Sequence, residues 1–538
     1  MSMLYNFPES YQPSESQQII IRGIEKAIAD GKKFIVCNAP TGAGKSFFAP
    51  TLANYAGGPS NTWKERVDDY SLFSPEMGSE YASEEPDFGV YALTITKSLQ
   101  DQYTETFDNA RALKGKANYV CDYDQDLTVD VAPCLSSPVL KKSCWSCNRC
   151  HYYNDRNSML KSPFAVLNYS MYFALPEHLQ RRKILILDEA SELEDQLISH
   201  FTCEVDLTFL KKLATSIVPF PTEEKSANVL KWLNQMIGNM NIKLQEYTEY
   251  FKENKSKDAT FMRKKVEFSK LQNLINKTSM LIQSYYDSQY IIEHVESGIK
   301  FTPLKIDKLS NYLFKNADTV IFLSATIIDH VNFCKHLGVT DYKYIEVGSL
   351  FSPKKSPIYI LAKQKLNFKN LKEMLPTLCN QVEGLLAAHP NEKGIIHTHT
   401  QYIADFIRDR VKSPRLLCRM DGIKNEDILQ QHFESTEPTV LVSPSMSYGV
   451  DLKGDLAKFQ ILLKAPWMPT KDPRVEKMMK IDPTWYGNKM LCTLVQACGR
   501  GVRAATDECE TYILDGSIYD AIARNKSRLP KYFLDRIV

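Results

Sequence analysis

The chain has 538 residues, 43% hydrophobic, 11% aromatic and 24% charged, enough apolar material for roughly two to four domains, and disorder of the whole is excluded. Lys plus Arg number 66 against 64 Asp plus Glu, a net charge of +2, which excludes a globally basic coat protein or an acidic tail and makes any nucleic-acid surface local. The opening MSMLYNFPES has no basic stretch ahead of an apolar one and no run approaches the length of a membrane span, so no membrane association is expected and a cytoplasmic protein is, whether nucleoid-associated or virus-encoded in a host cytoplasm.

Short apolar, β-branched runs alternate with helical segments: Phe34 to Cys37, Val90 to Thr94, Ile184 to Leu187, Val320 to Leu323, Ile358 to Leu361, Gly394 to His397, Val440 to Val442 and Phe459 to Leu463. Such alternation predicts an α/β fold with parallel sheets covered on both faces. The runs form two groups, one ending near Leu337 and one starting near Tyr344, which predicts two similar sheet domains with a cleft between them.

The first run leads into Asn38-Ala39-Pro40-Thr41-Gly42-Ala43-Gly44-Lys45-Ser46 and a helical stretch from Phe47. Strand, glycine-rich turn and helix in that order make a phosphate cradle: Gly42 and Gly44 let the backbone approach, and amides at a helix N-terminus attract the anion. Lys45 is placed for the β- and γ-phosphates and Ser46 for Mg²⁺. Ala39 stands where the strict motif has its first glycine, so the string is a relaxed variant. The acidic stretch Gly57 to Gly89 that follows reads as a solvated surface loop.

Of 13 cysteines, five cluster as Cys121, Cys134, Cys144, Cys147 and Cys150. In a large cytoplasmic chain such a cluster points to metal or redox chemistry before disulfides. The C-x-x-C-x-x-C run of Cys144, Cys147 and Cys150 with the remote Cys121 suits a 4Fe-4S cluster, with Cys134 the spare or an alternative ligand; Zn²⁺ competes, because four thiolates suit it equally. Trp145, Arg149, Tyr152 and Tyr153 lie among these ligands, and exposed there they would make a knob of stacking rings and positive charge able to part a duplex.

The strand Ile184 to Leu187 runs into Asp188-Glu189-Ala190-Ser191. Adjacent carboxylates at a strand's C-terminal end can divide the work, Asp188 holding the Mg²⁺ shell and Glu189 orienting and deprotonating the attacking water. From about Glu192 to Asn316 the chain is Lys-rich with helical spacing, as in Leu230, Trp232, Leu233, Met236 and Ile237, and reads as a helical insertion whose basic stretch Lys252 to Lys270 is diluted by Glu253, Asp258 and Glu267. Near the end Gln496, Arg500 and Arg503 stand at helix-like spacing; arginines facing a triphosphate across a cleft neutralise transition-state charge and tie domain closure to the nucleotide.

In this order the motifs resemble superfamily 2 helicases, in particular the iron-sulfur branch of XPD-like and DinG-like DNA helicases. The resemblance runs through nearly the whole chain: Phe7-Pro, Tyr11-Gln-Pro and Gln17 or Gln18, the Lys45 loop, Thr94 to Gln102, Leu113 to Cys121, Asp188 to Ser191, Ser324-Ala-Thr326, Gly394 to His399, Ser447 to Leu452, Ala465 to Pro469 and Gln496 to Arg503. It implies a first RecA-like domain made of residues 1–109, 166–191 and 317–343, an iron-sulfur insertion at 110–165, an arch-like helical insertion at 192–316 and a second RecA-like domain at 344–538. It also implies that Gln17 or Gln18 reads adenine, that Asp451 and Gln496 border the nucleotide, that Thr96, Gln102 and Ser447 to Asp451 touch single-stranded backbone or nucleotide, and that Ser324 and Thr326 couple hydrolysis to strand movement. The family's first cluster ligand follows Asn-Tyr, as Cys121 follows Asn118-Tyr119, and its last precedes Pro-Tyr, altered here to His151-Tyr152. The family has His where this chain has Ser191, to which no catalytic role is assigned.

The resulting expectation is a monomeric, ATP- and Mg²⁺-dependent DNA helicase of DNA repair or replication that moves on single-stranded DNA, 5′ to 3′ by resemblance, and unwinds forked DNA as the strand passes a gap bounded by the two insertions. Protein partners are not specified by the sequence. The alternatives are a translocase or remodeller that does not unwind, and a zinc-containing nucleic-acid-binding protein with a decayed ATPase.

Overall fold

Strands buried on both faces need apolar side chains at consecutive positions rather than alternate ones, and the apolar runs of this chain meet that demand. A computed structural model describes residues 2–538 except 41, 59, 61–87, 136, 147–148, 255–257, 350, 363, 420–424, 445–451, 453 and 503–506. In chain order the strands are β1 (Phe34–Asn38), β2 (Val90–Thr94), β3 (Arg111–Ala112), β4 (Val120–Cys121), β5 (Asp124–Thr128), β6 (Phe164–Asn168), β7 (Arg182–Leu187), β8 (Cys203–Asp206), β9 (Tyr290–Val295), β10 (Gly298–Pro303), β11 (Ala317–Ser324), β12 (Tyr342–Glu346), β13 (Ile358–Ile360), β14 (Gly394–His397), β15 (Leu416–Cys418), β16 (Val440–Ser443), β17 (Phe459–Leu462) and β18 (Glu510–Ile513). Among the described residues, one parallel sheet runs β12-β1-β11-β7-β2-β6-β3 and a second runs β13-β18-β17-β14-β16-β15.

Each sheet separates two apolar layers. Along β1, Val36 faces one core while Ile35 and Cys37 face the other; along β7, Leu185 and Leu187 part in the same way from Ile184 and Ile186. In the second sheet Ile396, Phe459 and Ile461 face one layer, and Ile358, Leu462 and Ile513 the other. The parallel register matters most for function: Asn38 lies opposite Ser324, and Leu187 opposite both Phe322 and Leu93. The C-terminal ends of β1, β11, β7 and β2 therefore open on one edge, where ligands bind in open α/β sheets.

Three expectations change. Tyr342–Glu346 pairs with β1, so the first sheet extends past the division expected at 343/344. β3 and β6 pair within the same sheet, so its strands reach into 110–165 at both ends. The insertion at 192–316 is also not wholly helical. Its two long helices, Ser226–Glu253 and Ala259–Ser284, are flanked in sequence by the strands of the antiparallel sheet β8-β10-β9, β8 before them and β9 and β10 after, and its first helix, Leu193–Phe201, packs Leu193, Leu197 and Phe201 into the first domain. The acidic stretch at 57–89 lies mostly outside the described residues. Among the described residues no helix is long and apolar enough to cross a membrane.

Arg182, 1% exposed on β7, anchors the end of the helix His151–Lys161 that follows Cys150. Its Nη2 donates to the carbonyls of Met159, Leu160 and Ser162, at 3.3, 2.8 and 3.4 Å, and its guanidinium lies 4.3 and 4.6 Å from the Phe88 and Tyr91 ring centroids. A cation at a helix C-terminus also complements the helix dipole. Arg182→Met should destabilise the protein by about 2–4 kcal/mol, through carbonyls left without donors, read as a lowered melting temperature that Arg182→Lys does not restore.

Candidate functional site

The phosphate loop is tied into the sheet before it turns. Asn38, at the end of β1 and 2% exposed, accepts from the Ile327 amide at 3.4 Å and donates to Ile327 O, Tyr344 Oη and Glu346 Oε1 at 3.4, 3.2 and 3.3 Å. The next amide, Ala39 N, donates to Ser324 O at 2.9 Å. Ala43 N closes back on Pro40 O at 3.2 Å, and the chain enters a 3-10 turn at Lys45–Phe47 and then the helix Phe48–Ala56. Gly42 and Gly44 hold φ of 81° and 70°, conformations costly for other residues. At Gly44 a Cβ would also come within 2.2 Å of Gln17 Nε2. That amide donates to Gly44 O at 3.1 Å, and the rest of Gln17 is fixed by a reciprocal cap with Ser14. Gln18 turns away to Pro13 O, so of the two glutamines Gln17 reaches the loop. Phe7 stacks on Phe47 at 5.5 Å, and Tyr11 meets its edge at 4.8 Å. Ser46 is half-buried, and Thr41 lies outside the described residues.

Asp188 and Glu189 emerge from β7 beside this loop. Asp188 is 7% exposed; it accepts from the Glu189 amide at 3.0 Å and from Tyr103 Oη at 3.3 Å. Lys45 Nζ lies 3.7 Å from Glu189 Oε1. Glu189 sits at φ 50°, ψ 48°, a left-handed conformation that a non-glycine residue holds only where its surroundings impose it. Burial, reinforced by the Glu189 charge, pushes the Asp188 carboxyl up to about 6, with Lys45 pulling it back.

Ser191, two residues on, is where the domains meet. Its Oγ lies 3.1 Å from Ser324 Oγ, 3.3 Å from Thr326 Oγ1 and 3.0 Å from Gln496 Nε2, the last on the second-domain helix Pro483–Cys498. Cys492 of that helix donates to Thr326 O at 3.2 Å, and Tyr532 donates to Ala325 O. Arg500 follows the same helix, 8% exposed, and with burial it pushes the His397 imidazole down to about 3. A cleft of about 320 Å³ has Pro40 of the phosphate loop on one wall and Gly499 and Val502, either side of the Arg500 turn, on the other. Arg503 and the segment Ser447 to Asp451 lie outside the described residues.

The remaining expected groups divide. Thr96 caps the helix Lys97–Thr106 through its hydroxyl, and Gln102 is exposed. Cys121, Cys134 and Cys150 are buried in one core that Cys144 packs against. Cys134 hydrogen-bonds Cys144 and feels Cys121 and Cys150, so it is not set apart as a spare. Cys147 lies outside the described residues, and among the described residues no group of three side chains is arranged to hold a metal ion. The expectation of stacking rings is overturned. Trp145, Tyr152 and Tyr153 are 3–4% exposed because they pack on one another, with Trp145–Tyr153 and Tyr152–Tyr153 centroids 5.1 and 5.3 Å apart; only Arg149 of that set is exposed. The basic stretch of the arch is not uniformly solvated either, since Lys265 is 5% exposed, 4.3 Å from the Phe251 ring centroid. Sequence reasoning missed Asn38, Tyr103 and the role of Ser191. A polar residue closing an apolar strand was a readable signal for Asn38; nothing in sequence pattern marks the other two.

Residues 389–535 match the helicase C-terminal domain family. The ATP-dependent DNA helicase YoaA of Haemophilus influenzae is 22% identical over 95% of this chain and 92% of its own, and YoaA of Escherichia coli 21% identical over 94% and 92%. Among solved structures, an XPD helicase has a TM-score of 0.60 at 16% identity, covering 95% of this chain and 97% of its own. Over nearly its whole length the chain is thus similar to ATP-dependent DNA helicases, and it has the fold of an XPD helicase. S. tokodaii Xpd4, with a TM-score of 0.56 at 12% identity over 95% of this chain and 97% of its own, shares the same fold.

Because the Asp188 carboxyl is raised, it takes up a proton as pH falls through about 6 and is a carboxylate above that. Infrared difference spectra should show a protonated carboxyl band growing in over that range and absent in Asp188→Asn. Tyr103→Phe, which removes a donor to the carboxylate, should move the midpoint upward.

Proposed function

We propose that this chain is an ATP-dependent DNA helicase that hydrolyses ATP between its two parallel-sheet domains while translocating on single-stranded DNA. The observation that carries the reading is the set formed by Lys45, Asp188 and Glu189 at one sheet edge, joined through Ser191 to Gln496 of the other domain. In the described state the Lys45 ammonium rests on Glu189; a triphosphate in the loop would take over that cation and leave Glu189 to orient and deprotonate water. Asp188 and Ser46 are the groups to hold Mg²⁺, which neutralises phosphate charge when bound. Gln17, with Phe7 and Tyr11 around Phe47, borders the adenine side of the loop, while Arg500, on the turn whose Gly499 and Val502 line the opposite wall, is assigned to the triphosphate, and Arg503 is assigned with it by the family resemblance. Direction of travel, 5′ to 3′, follows from the family resemblance alone.

The DNA path is assigned to a cavity of about 890 Å³ between the cysteine segment, the first domain and the arch, lined among others by Lys116, Lys141, Arg156 and Lys277. Cations lining one cavity suit a phosphate backbone, and binding there should weaken steeply with salt. The burial of Trp145, Tyr152 and Tyr153 favours a second reading, a translocase that does not unwind, and forked-duplex unwinding separates the two.

Four thiols of the set Cys121, Cys134, Cys144, Cys147 and Cys150 are assigned to a 4Fe-4S cluster, or to Zn²⁺, on the chemistry of the donors and the burial of three of them. Such a group cross-links a segment whose own strands, β4 and β5, are two and five residues long.

Lys45→Ala and Glu189→Gln should each lower DNA-stimulated phosphate release by about 10³-fold or more while single-strand affinity in a fluorescence assay is retained; hydrolysis persisting in Lys45→Ala would remove the phosphate-loop assignment. Protein purified without oxygen should be brown with stoichiometric iron, and Cys134→Ser compared with Cys144→Ser by iron content should show which thiol is dispensable. Colourless protein carrying zinc would overturn the cluster and spare the motor.

A further inference from the structure

Outside the nucleotide cleft the domain interface holds a buried carboxylate that the reading above does not use. Glu194, 8% exposed, lies in the first turn of the helix Leu193–Phe201. Both of its oxygens are taken by the second domain. Arg474 Nη2 lies 2.5 Å from Oε1, Lys489 Nζ 3.1 Å from Oε2, and Trp485 Nε1 is 3.0 Å from each. Lys489 also reaches Asp195 Oδ2 at 3.0 Å, and the Arg474 guanidinium covers the Trp485 ring, 5.2 Å from its centroid. Two cations thus face two carboxylates across the interface. Burial would raise the Glu194 carboxyl, but Lys489, then Arg474 and Trp485, hold it down at about 2, so the cluster stays fully charged at neutral pH. Unlike an exposed ion pair, such a cluster loses heavily when one member is neutralised, because the partner charges stay buried.

The position of Glu194 along the chain gives the cluster a use. From Glu189 the backbone runs through the 3-10 turn Ala190–Glu192 directly into the Leu193–Phe201 helix, with Glu192 N closing on Glu189 O at 3.0 Å and no glycine between. A pull on Glu194 is therefore carried back along a stiff turn, past Ser191, to a Glu189 backbone held in a left-handed conformation that its surroundings must impose. We propose that Glu194 is a positioning residue for hydrolysis: Arg474, Lys489 and Trp485 of the second domain grip it and thereby set Glu189 from a side of the interface remote from the triphosphate. This inference rests on the proposed role of Glu189 and extends it, since docking at Arg474 and Lys489 becomes a condition for water activation, separate from any arginine contact with the nucleotide.

The test is DNA-stimulated phosphate release by the full chain carrying Glu194→Gln, Glu194→Asp, Lys489→Gln, the Glu194→Gln/Lys489→Gln pair, or Glu189→Gln. Glu194→Gln should lower kcat about 10-fold or more with KM for ATP within about threefold, Glu194→Asp should recover part of the loss, and the pair should be no slower than Glu194→Gln alone. A Glu194→Gln protein that turns over within about twofold of the parent, or single losses that multiply in the pair, overturns the inference. So does a loss of kcat matched by an equal rise in KM and a lowered melting temperature, which marks a merely structural role. If Glu189→Gln itself hydrolyses normally, the assignment of Glu189 falls and takes this inference with it; if Glu189→Gln is inactive while Glu194→Gln is normal, only the inference falls.

Discussion

The hydroxyl of Ser191 ties the catalytic edge of the first sheet directly to the second domain. Around it lie Ser324 and Thr326 from the end of β11, and Gln496 from the second domain. A hydroxyl can donate once and accept twice, so three neighbours saturate it. Moving the second domain must break a bond to Gln496 or drag the Ser191 turn with it. The parallel register makes this possible: because β1, β11 and β7 end on the same edge, the phosphate loop, the Ser324 to Thr326 segment and the acidic pair need no long loops to meet.

Electrostatics at that edge hold the site ready without a ligand. Two adjacent carboxylates in a poorly hydrated corner repel, and the structure relieves this by raising Asp188 and placing Lys45 3.7 Å from Glu189. The ammonium that would meet a phosphate is thus already oriented. Gln17 fixes the loop from outside by donating to Gly44 O, and Asn38 fixes it from beneath through Ile327. Catalytic geometry held by neighbours of this kind changes little when a ligand arrives.

Whether a feature is legible in the sequence depends on what holds it in place. The apolar runs became strands because full burial demands consecutive hydrophobic residues, and the loop, the acidic pair and the Gln496 helix were readable because their chemistry fixes residue type and spacing. Tyr342–Glu346 was misassigned because it lies at the edge of its sheet, where Ile345 is its one buried side chain and no apolar run forms. The short antiparallel strands β8 to β10 were hidden in a Lys-rich context dominated by helical spacing. Ser191 looked like a departure from the family pattern, and its place at the interface depends on residues more than a hundred positions away. The same is true of Glu194: a Leu-Glu-Asp string at a helix start is indistinguishable in sequence from a solvated first turn.

The rings of the cysteine segment show why residue type alone does not assign a wedge. Trp145, Tyr152 and Tyr153 are amphipathic and suit either a stacking surface or a core; here they pack into the core that also holds Cys121, Cys134 and Cys150. A segment with strands this short has little else to bury, so exposing those rings would remove the packing that gives it shape. To the cavity beside it the segment contributes the cations Lys116, Lys141 and Arg156 along with Tyr152 and Tyr153, and Lys277 of the arch lines the same cavity. Under the proposed function, such a rim attracts one strand by its phosphates. Separation would then come from the motor drawing one strand past the cysteine segment, whose packed rings give it the rigidity this requires.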